Sequence, residues 1–294
     1  MNELNFIDYL RKHIKHDKDV ICGIGDDAAV LKYTRKKHLL FTCDMLIEGV
    51  HFEKNAKPEE IGWKAIAVNI SDIAAMGGVP KYVVISVGIP KNSAPSTAKR
   101  LMNGVKKICR FFDVSIVGGD TNAGPNLVID VAIIGEVEKD FLVLRSGAKA
   151  GDLIFTTGTL GEGRIKHLSF MPRIEEARML VRHFKINSMI DISDGLFLDL
   201  YRLAEASSVG ARIYKSLIPL ADVKHMKYIN DGEDFELMFT LSISQAKKLM
   251  KYMGRHERPD VTLIGEVVSK KYGLNFIEEE GRVRRIRAKG YTHF

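Results

Sequence analysis

The chain is expected to fold as a two-domain α/β protein of the mixed, α+β kind. Three observations predict this. At about 150 residues per domain, 294 residues suggest two hydrophobic cores. Apolar residues make up 46% and charged residues 28%, ordinary globular usage that excludes disorder, collagen and a coiled-coil rod. Strand-length apolar runs alternate with stretches of helical spacing, and a charged segment (Glu138–Asp140) followed by a small-residue one (Ser146–Gly151) interrupts them midway. That interruption divides a domain at 1–138 from one at 139–294.

The elements follow in order. Leu4, Ile7, Leu10 and Ile14 share one face of a helix over 3–15. Ala28–Tyr33 and His38–Thr42 are strands around a basic turn. Glu59–Met76 is a helix that begins beside Pro58 and stops at Gly77-Gly78-Val79-Pro80. Tyr82–Ile89 is a strand, Pro95–Phe112 a helix, Val114–Val117 a short buried strand and Leu127–Val137 a longer one. The second half opens on strand Asp152–Thr157. Helices come at Gly161–Phe170, Arg173–Phe184 and Asp194–Ser207, then strands Ala211–Tyr214 and Phe235–Leu241. Helix Ser244–Met253 and strands Val261–Val268, Leu274–Ile277 and Val283–Arg287 complete the chain.

Composition narrows the function. The net charge is +7, but the positive residues are spread and no basic stripe is interleaved with aromatics, so no nucleic-acid partner is expected. No apolar run approaches the roughly 18 residues of a membrane span, and the N-terminus lacks the charged lead and apolar core of a signal peptide. Cys22, Cys43 and Cys109 are odd in number and form no CxxC pair. That fits a reducing cytoplasm rather than a disulfide framework or a structural zinc site.

Carboxylates carry the chemistry. Gly23-Ile24-Gly25-Asp26-Asp27-Ala28 has the outline of a dinucleotide loop, but two adjacent carboxylates stand where a pyrophosphate needs backbone N–H groups, and a strand follows rather than a helix. The residues suit a Mg²⁺ site or a capped polar turn. Asp44 ends an apolar strand, with Glu48 and His51 after it. Asp72 lies inside an apolar helix on one face with Asn69, where an unpaired charge is costly. Asp120 follows Gly118-Gly119, whose lack of side chains lets backbone approach a ligand. Asp191 and Asp194 precede a helix containing Asp199 and could bind metal or cap it. Asn230–Glu236 is an acidic turn into a strand. Carboxylates converging on one place repel without cations, so several Mg²⁺ ions and a polyphosphate ligand are the economical reading. P-loop, protein-kinase, zincin and nucleophile-elbow motifs are all absent. Cys22 and Cys43 lie beside acidic turns that should raise their thiol pKa, which makes them packing residues.

In order, Gly23–Val30 (GIGDDAAV), Cys43–Phe52 (CDMLIEGVHF), Lys64–Gly77 (KAIAVNISDIAAMG), Val117–Thr121 (VGGDT), Arg145–Lys149 (RSGAK), Asp191–Leu200 (DISDGLFLDL) and Asp231–Leu237 (DGEDFEL) resemble the thiamine-monophosphate kinase family. The likeness extends to the terminal Lys289–Phe294. It implies an aminoimidazole ribonucleotide synthetase-like fold with N-terminal sheets pairing across a homodimer. It implies transfer of the ATP γ-phosphoryl group to thiamine monophosphate. Its metal positions fall on Asp27, Thr42, Cys43, Asp44, Asp72, Asp120, Asp191 and Asp194. Nucleotide contacts fall on Gly119, Asp120, Arg145 and Ser193, and substrate contacts on His51 and Glu233. Asp44, Asp120 and Arg145 would then carry catalysis, with Arg145 clamping nucleotide phosphate. Two departures stand out. Cys43 replaces the usual Thr or Ser, and Ala288 replaces an aromatic found in some members, so packing on the thiamine falls to Tyr291 or to the partner. The alternative is another ATP-using member of the superfamily, selenophosphate synthetase-like or a carbamoyl-dehydrating maturation factor. This chain lacks the N-terminal Gly-Lys context of the first and the C-terminal Cys of the second.

Overall fold

The computed structural model describes residues 3–255 and 260–293; Phe294 of the terminal motif lies outside them. The first sheet draws on β1 (Val20–Cys22), β2 (Ala29–Lys32), β3 (Lys37–Ile47), β4 (Val79–Pro90), β5 (Ser115–Gly124) and β6 (Val128–Glu138), in the order β1-β2-β3-β6-β4-β5. Only β4 and β5 pair in parallel. Helices α1 (Glu3–His13), α2 (Pro58–Ala75) and α3 (Ser96–Phe111) accompany it.

The second sheet is built from β7 (Leu153–Thr157), β8 (Ser188–Asp191), β9 (Val209–Tyr214), β10 (Leu237–Leu241), β11 (Val261–Ser269), β12 (Leu274–Ile277) and β13 (Val283–Arg285). Its order is β13-β12-β9-β11-β7-β10-β8. Here α4 (Gly163–Lys166), α5 (Ile174–His183), α6 (Leu196–Ser207) and α7 (Ile243–Met253) complete the α-helices among the described residues.

Helix α2 organises the molecule. It packs on the first sheet through β3 and β6, on α3, and on α5 and β8 of the second half. A helix covered on every side has no polar face to keep, which is why Ile61, Ile66, Ile70 and Ile73 occur together with Ala65, Ala67 and Ala74, all buried. One apolar core therefore runs through α2 from Val30 and Leu40 to Phe155 and Leu180. Trp63 Nε1 donates to Phe170 O at 2.8 Å, and Arg178 reaches Gly77 O at 2.6 Å. The α2–α3 approach depends on two glycines. A Cβ on Gly104 would lie 1.9 Å from Glu59 O, and one on Gly62 would lie 2.1 Å from Leu101 O. Gly104→Ala should therefore force the helices apart and cost about 3 kcal/mol, read as a lowered denaturant midpoint. An unchanged midpoint would show that the helices can slide.

Several elements differ from expectation. Strand β3 continues to Ile47, so Asp44 lies within it rather than at its end. The strand at 114–117 is β5, which extends to Gly124, so VGGDT is inside a strand, and that strand is exposed rather than buried. The helix expected at 161–170 shortens to α4. Strands β1 and β8 are additional; both are short, below the length at which alternation shows.

Candidate functional site

Strand alternation decides which residues of β3 reach the interior. His38, Leu40, Thr42 and Leu46 are buried, while Phe41, Cys43 and Met45 are exposed on the other face. Asp44 therefore shares the inner face with Thr42. Thr42 Oγ1 donates to Asp72 Oδ2 at 2.5 Å, joining β3 to the last turns of α2. From the neighbouring position on α2, Ser71 Oγ donates to Asp191 Oδ2 at 2.6 Å. Strand β8 ends at Asp191, which is how the second sheet delivers a carboxylate to the same place.

Asp27, Asp72 and Asp191 converge with ligand oxygens all within 4.8 Å of one another. Asp27 and Asp191 are buried, and Asp27 Oδ2 has no hydrogen-bond partner among the described residues. Burial, reinforced by the charges of Asp44 and Asp191, pushes the Asp72 carboxyl well above its ordinary value; burial and Asp27 do the same to Asp191. Burial, together with Asp194, Asp130 and Asp27, pushes Asp44 up to about 6. Buried hard oxygens that repel each other, one of them unpartnered, are a donor set for Mg²⁺.

The cluster sits where two cavities meet. One, of about 690 Å³, is walled by His51, Lys64, Val68, Glu233, Phe235 and Tyr291. The other, of about 970 Å³, is walled by Arg11, Gly23, Gly25, Asp26, Arg145 and Arg202. Cys43, Asp44, Asp72, Ser193 and Asp194 line both.

Arg145 is already engaged: its Nη2 lies 2.6 Å and its Nε 3.2 Å from Asp27 Oδ1, and its backbone N–H donates to the Asp26 carboxylate. Burial, with Asp27 beside it, pushes Asp26 up to about 7. Asp194 pairs with Arg202 at 2.5 Å at the edge of the cluster. Helix α6 is not capped by Asp191 or Asp194. Asp199 Oδ2 accepts from the N–H groups of Asp194 and Gly195 instead.

In the acidic turn, Asp234 accepts from three backbone N–H groups of 161–163 and Glu236 pairs with Arg173, so both are structural. Cys43 Sγ faces outward and donates to Asp130 Oδ1 at 3.3 Å, leaving only its backbone to the inner cluster. Burial first, then carboxylate neighbours, push the Cys22 and Cys43 thiols up to about 11.

Gly119 and Asp120 stand apart. They line neither cavity and lie on the exposed strand β5. A Cβ on Gly119 would lie 1.9 Å from Ile85 O, so close pairing with β4 already demands this glycine. Asp120 pairs in register with Ser86, which pairs with Asp130, which pairs with Met45, placing it on the outward row of the sheet.

Sequence reasoning passed over Lys64, His167 and Arg202. A lysine within an eighteen-residue apolar helix was a readable signal for the first; the other two gave none.

The sequence profile for the N-terminal domain of AIR synthase related proteins matches residues 25–137, and the profile for their C-terminal domain matches residues 154–275. The chain is 36% identical to the thiamine-monophosphate kinase of Buchnera aphidicola subsp. Schizaphis graminum, with 100% of this chain and 99% of that one covered. It is 33% identical to that of Bacillus subtilis strain 168, with both chains fully covered. A solved structure described as AaThiL complexed with AMPPCP and TMP superposes with a TM-score of 0.85 at 32% identity, over 100% of this chain and 97% of that one. With both domains matched and similarity running end to end, the chain belongs to the thiamine-monophosphate kinase family.

Proposed function

We propose that the protein transfers the γ-phosphoryl group of ATP directly to the phosphate of thiamine monophosphate, giving thiamine diphosphate and ADP. The observation that carries this reading is the carboxylate cluster at the junction of two cavities, one lined by arginines and the other by His51, Glu233 and aromatic rings. Nucleotide occupies the arginine-lined cavity, where Arg145 and Ser193 meet its phosphates. Thiamine monophosphate occupies the other, with Glu233, His51 and Tyr291 around its rings. The two phosphates then face each other across Asp44, Asp72 and Asp191.

Mg²⁺ held by Asp27, Asp44, Asp72 and Asp191, with Asp194 and backbone oxygens of 42–43 at its margin, would neutralise phosphate charge at that junction. The acceptor phosphate is ionised near neutral pH, its second pKa being about 6, so no general base is needed. His51 is suited to contact rather than proton transfer. Burial, with His293 and Lys64 nearby, lowers its pKa, and its Nδ1 is taken by the Ile47 N–H at 3.0 Å. Arg145 must exchange part of its Asp27 pairing for phosphate, which a cation on Asp27 would favour.

The working unit in this reading is a homodimer. Phe41, Ile134 and Tyr82 form one cross-strand row on the outward face of the first sheet, and Cys43, Ala132 and Val84 form the next. Phe41, Tyr82, Val84 and Ile134 are exposed, an apolar patch that pairing with a second copy would cover. Asp120, on the same face, would then serve the partner's site. Among the described residues no helix is long and apolar enough to cross a membrane. The free cysteines agree with the cytoplasm as the place of action.

The test is incubation with Mg²⁺ and ATP, with and without thiamine monophosphate, followed by separation of the thiamine phosphates. Thiamine diphosphate should form in step with ADP. ATP binding without thiamine diphosphate would move the activity to another acceptor.

A further inference from the structure

Lys64 is a buried charged group that the proposed transfer does not use. Its side chain is 1% exposed, in the middle of α2. An ammonium is held there only if it is hydrogen-bonded and paired with an opposite charge. His51 O at 2.7 Å and a Glu233 carboxylate oxygen accept from it, and His167 Nδ1 lies 2.8 Å away. They come from the loop after β3, the segment after α4 and the loop before β10. One side chain thus ties together three segments of two domains around the acceptor cavity.

Glu233 is itself constrained. Its φ is +64°, a left-handed conformation costly for a residue with a side chain, and Phe235 beyond it has φ +51°. Its second carboxylate oxygen lies 3.0 Å from His167 Nδ1. Although burial opposes the charge, His167 and then Lys64 hold the Glu233 carboxyl below its ordinary value.

We propose that Lys64, with His167, is a positioning residue that fixes the Glu233 carboxylate as an anionic wall of the acceptor cavity, selecting acceptors whose ring system is cationic or carries an amino group. The inference rests on the reading of this cavity as the thiamine monophosphate site.

Lys64→Met keeps the length and apolar stem and removes the charge. It should raise KM for thiamine monophosphate about tenfold, as loss of a charged hydrogen bond would, and leave KM for ATP within about twofold. Adding Lys64→Met to Glu233→Gln should change KM less than about threefold further, because the first acts through the second. His167→Asn, at a less buried position, should shift KM in the same direction and serves if Lys64→Met does not fold. A lysine that merely braces the domains would lower Tm and kcat and leave both KM values alone. That result, or effects of Lys64 and Glu233 that multiply independently, overturns the inference. A wild-type protein that makes no thiamine diphosphate overturns the functional reading and this inference with it.

Discussion

Asp72→Asn is expected to slow thiamine diphosphate formation by about a hundred- to a thousandfold, the scale of losing one electrostatic stabiliser of a transition state. The same change should raise the thermal midpoint of the protein in chelator. Both follow from the position of Asp72. It meets Asp27 and Asp191 with oxygens within 4.8 Å, and each of these carboxylates is a repulsive neighbour until a cation arrives. Asparagine keeps an acceptor for the Thr42 hydroxyl, so the local hydrogen bond survives. The pH dependence has a fixed sign. Asp44 is pushed up from 3.8 to about 6 and Asp72 and Asp191 are raised as well, so their folded values exceed the unfolded ones. Their contribution to stability is fully present below the unfolded value near 3.8. It is lost as the pH rises through the folded values. Without metal, the wild-type midpoint should fall as the pH rises from about 4 through about 6, more steeply than that of Asp72→Asn. Cys43→Ser is the control. Its side chain faces Asp130 on the outer face, and turnover should stay within about threefold of wild type. Asp72→Asn with a tenth or more of wild-type turnover, or with a lower midpoint in chelator, would remove the metal cluster from the mechanism.

The carboxylates of that cluster were legible because each broke a local pattern. Asp72 interrupts an apolar helix, Asp27 follows a Gly turn, and Asp191 stands near Gly195 at the entrance to a helix. What could not be read was which partners each would meet. Asp234 and Glu236 have the same sequence context as the ligands, yet the first binds backbone N–H groups and the second binds Arg173. Side-chain chemistry is the same in both cases; only the long-range packing of β10 against β7 and β8 separates them. Strand β5 misled for a related reason. Ile116 and Val117 are apolar enough to suggest burial, but in a single copy of the chain nothing covers them, and they are exposed. In the proposed homodimer the cover would come from a second copy, and composition does not tell such a strand from a core strand. His167 had no signal at all, since its role arises from Lys64, more than a hundred residues earlier in the chain.

The exposed strand leads to the second large effect. If the proposed homodimer is the working unit, the Asp44→Asn and Asp120→Asn proteins should each lose nearly all turnover, and mixing them with subunit exchange should restore activity. Asp44 belongs to the inner cluster, and Asp120 to the outward row that contains Ser86, Asp130 and Met45. If Asp120 serves the partner, a mixed dimer has one site in which both residues are intact and one in which both are replaced. Random exchange makes half the dimers mixed, so about a quarter of wild-type turnover should return. If Asp120 acted within its own chain, every site of the mixed dimer would lack one carboxylate and no activity would return. The two arrangements therefore differ in kind rather than in degree. A second readout is available on the same face. Tyr82→Arg places a charge in the row formed by Phe41, Ile134 and Tyr82, where pairing with another copy would bury it unpaired. It should yield monomers by sedimentation and abolish turnover, although Tyr82 touches neither cavity. Active monomers would show that each chain holds a complete site, and would assign Asp120 to the sheet rather than to the chemistry.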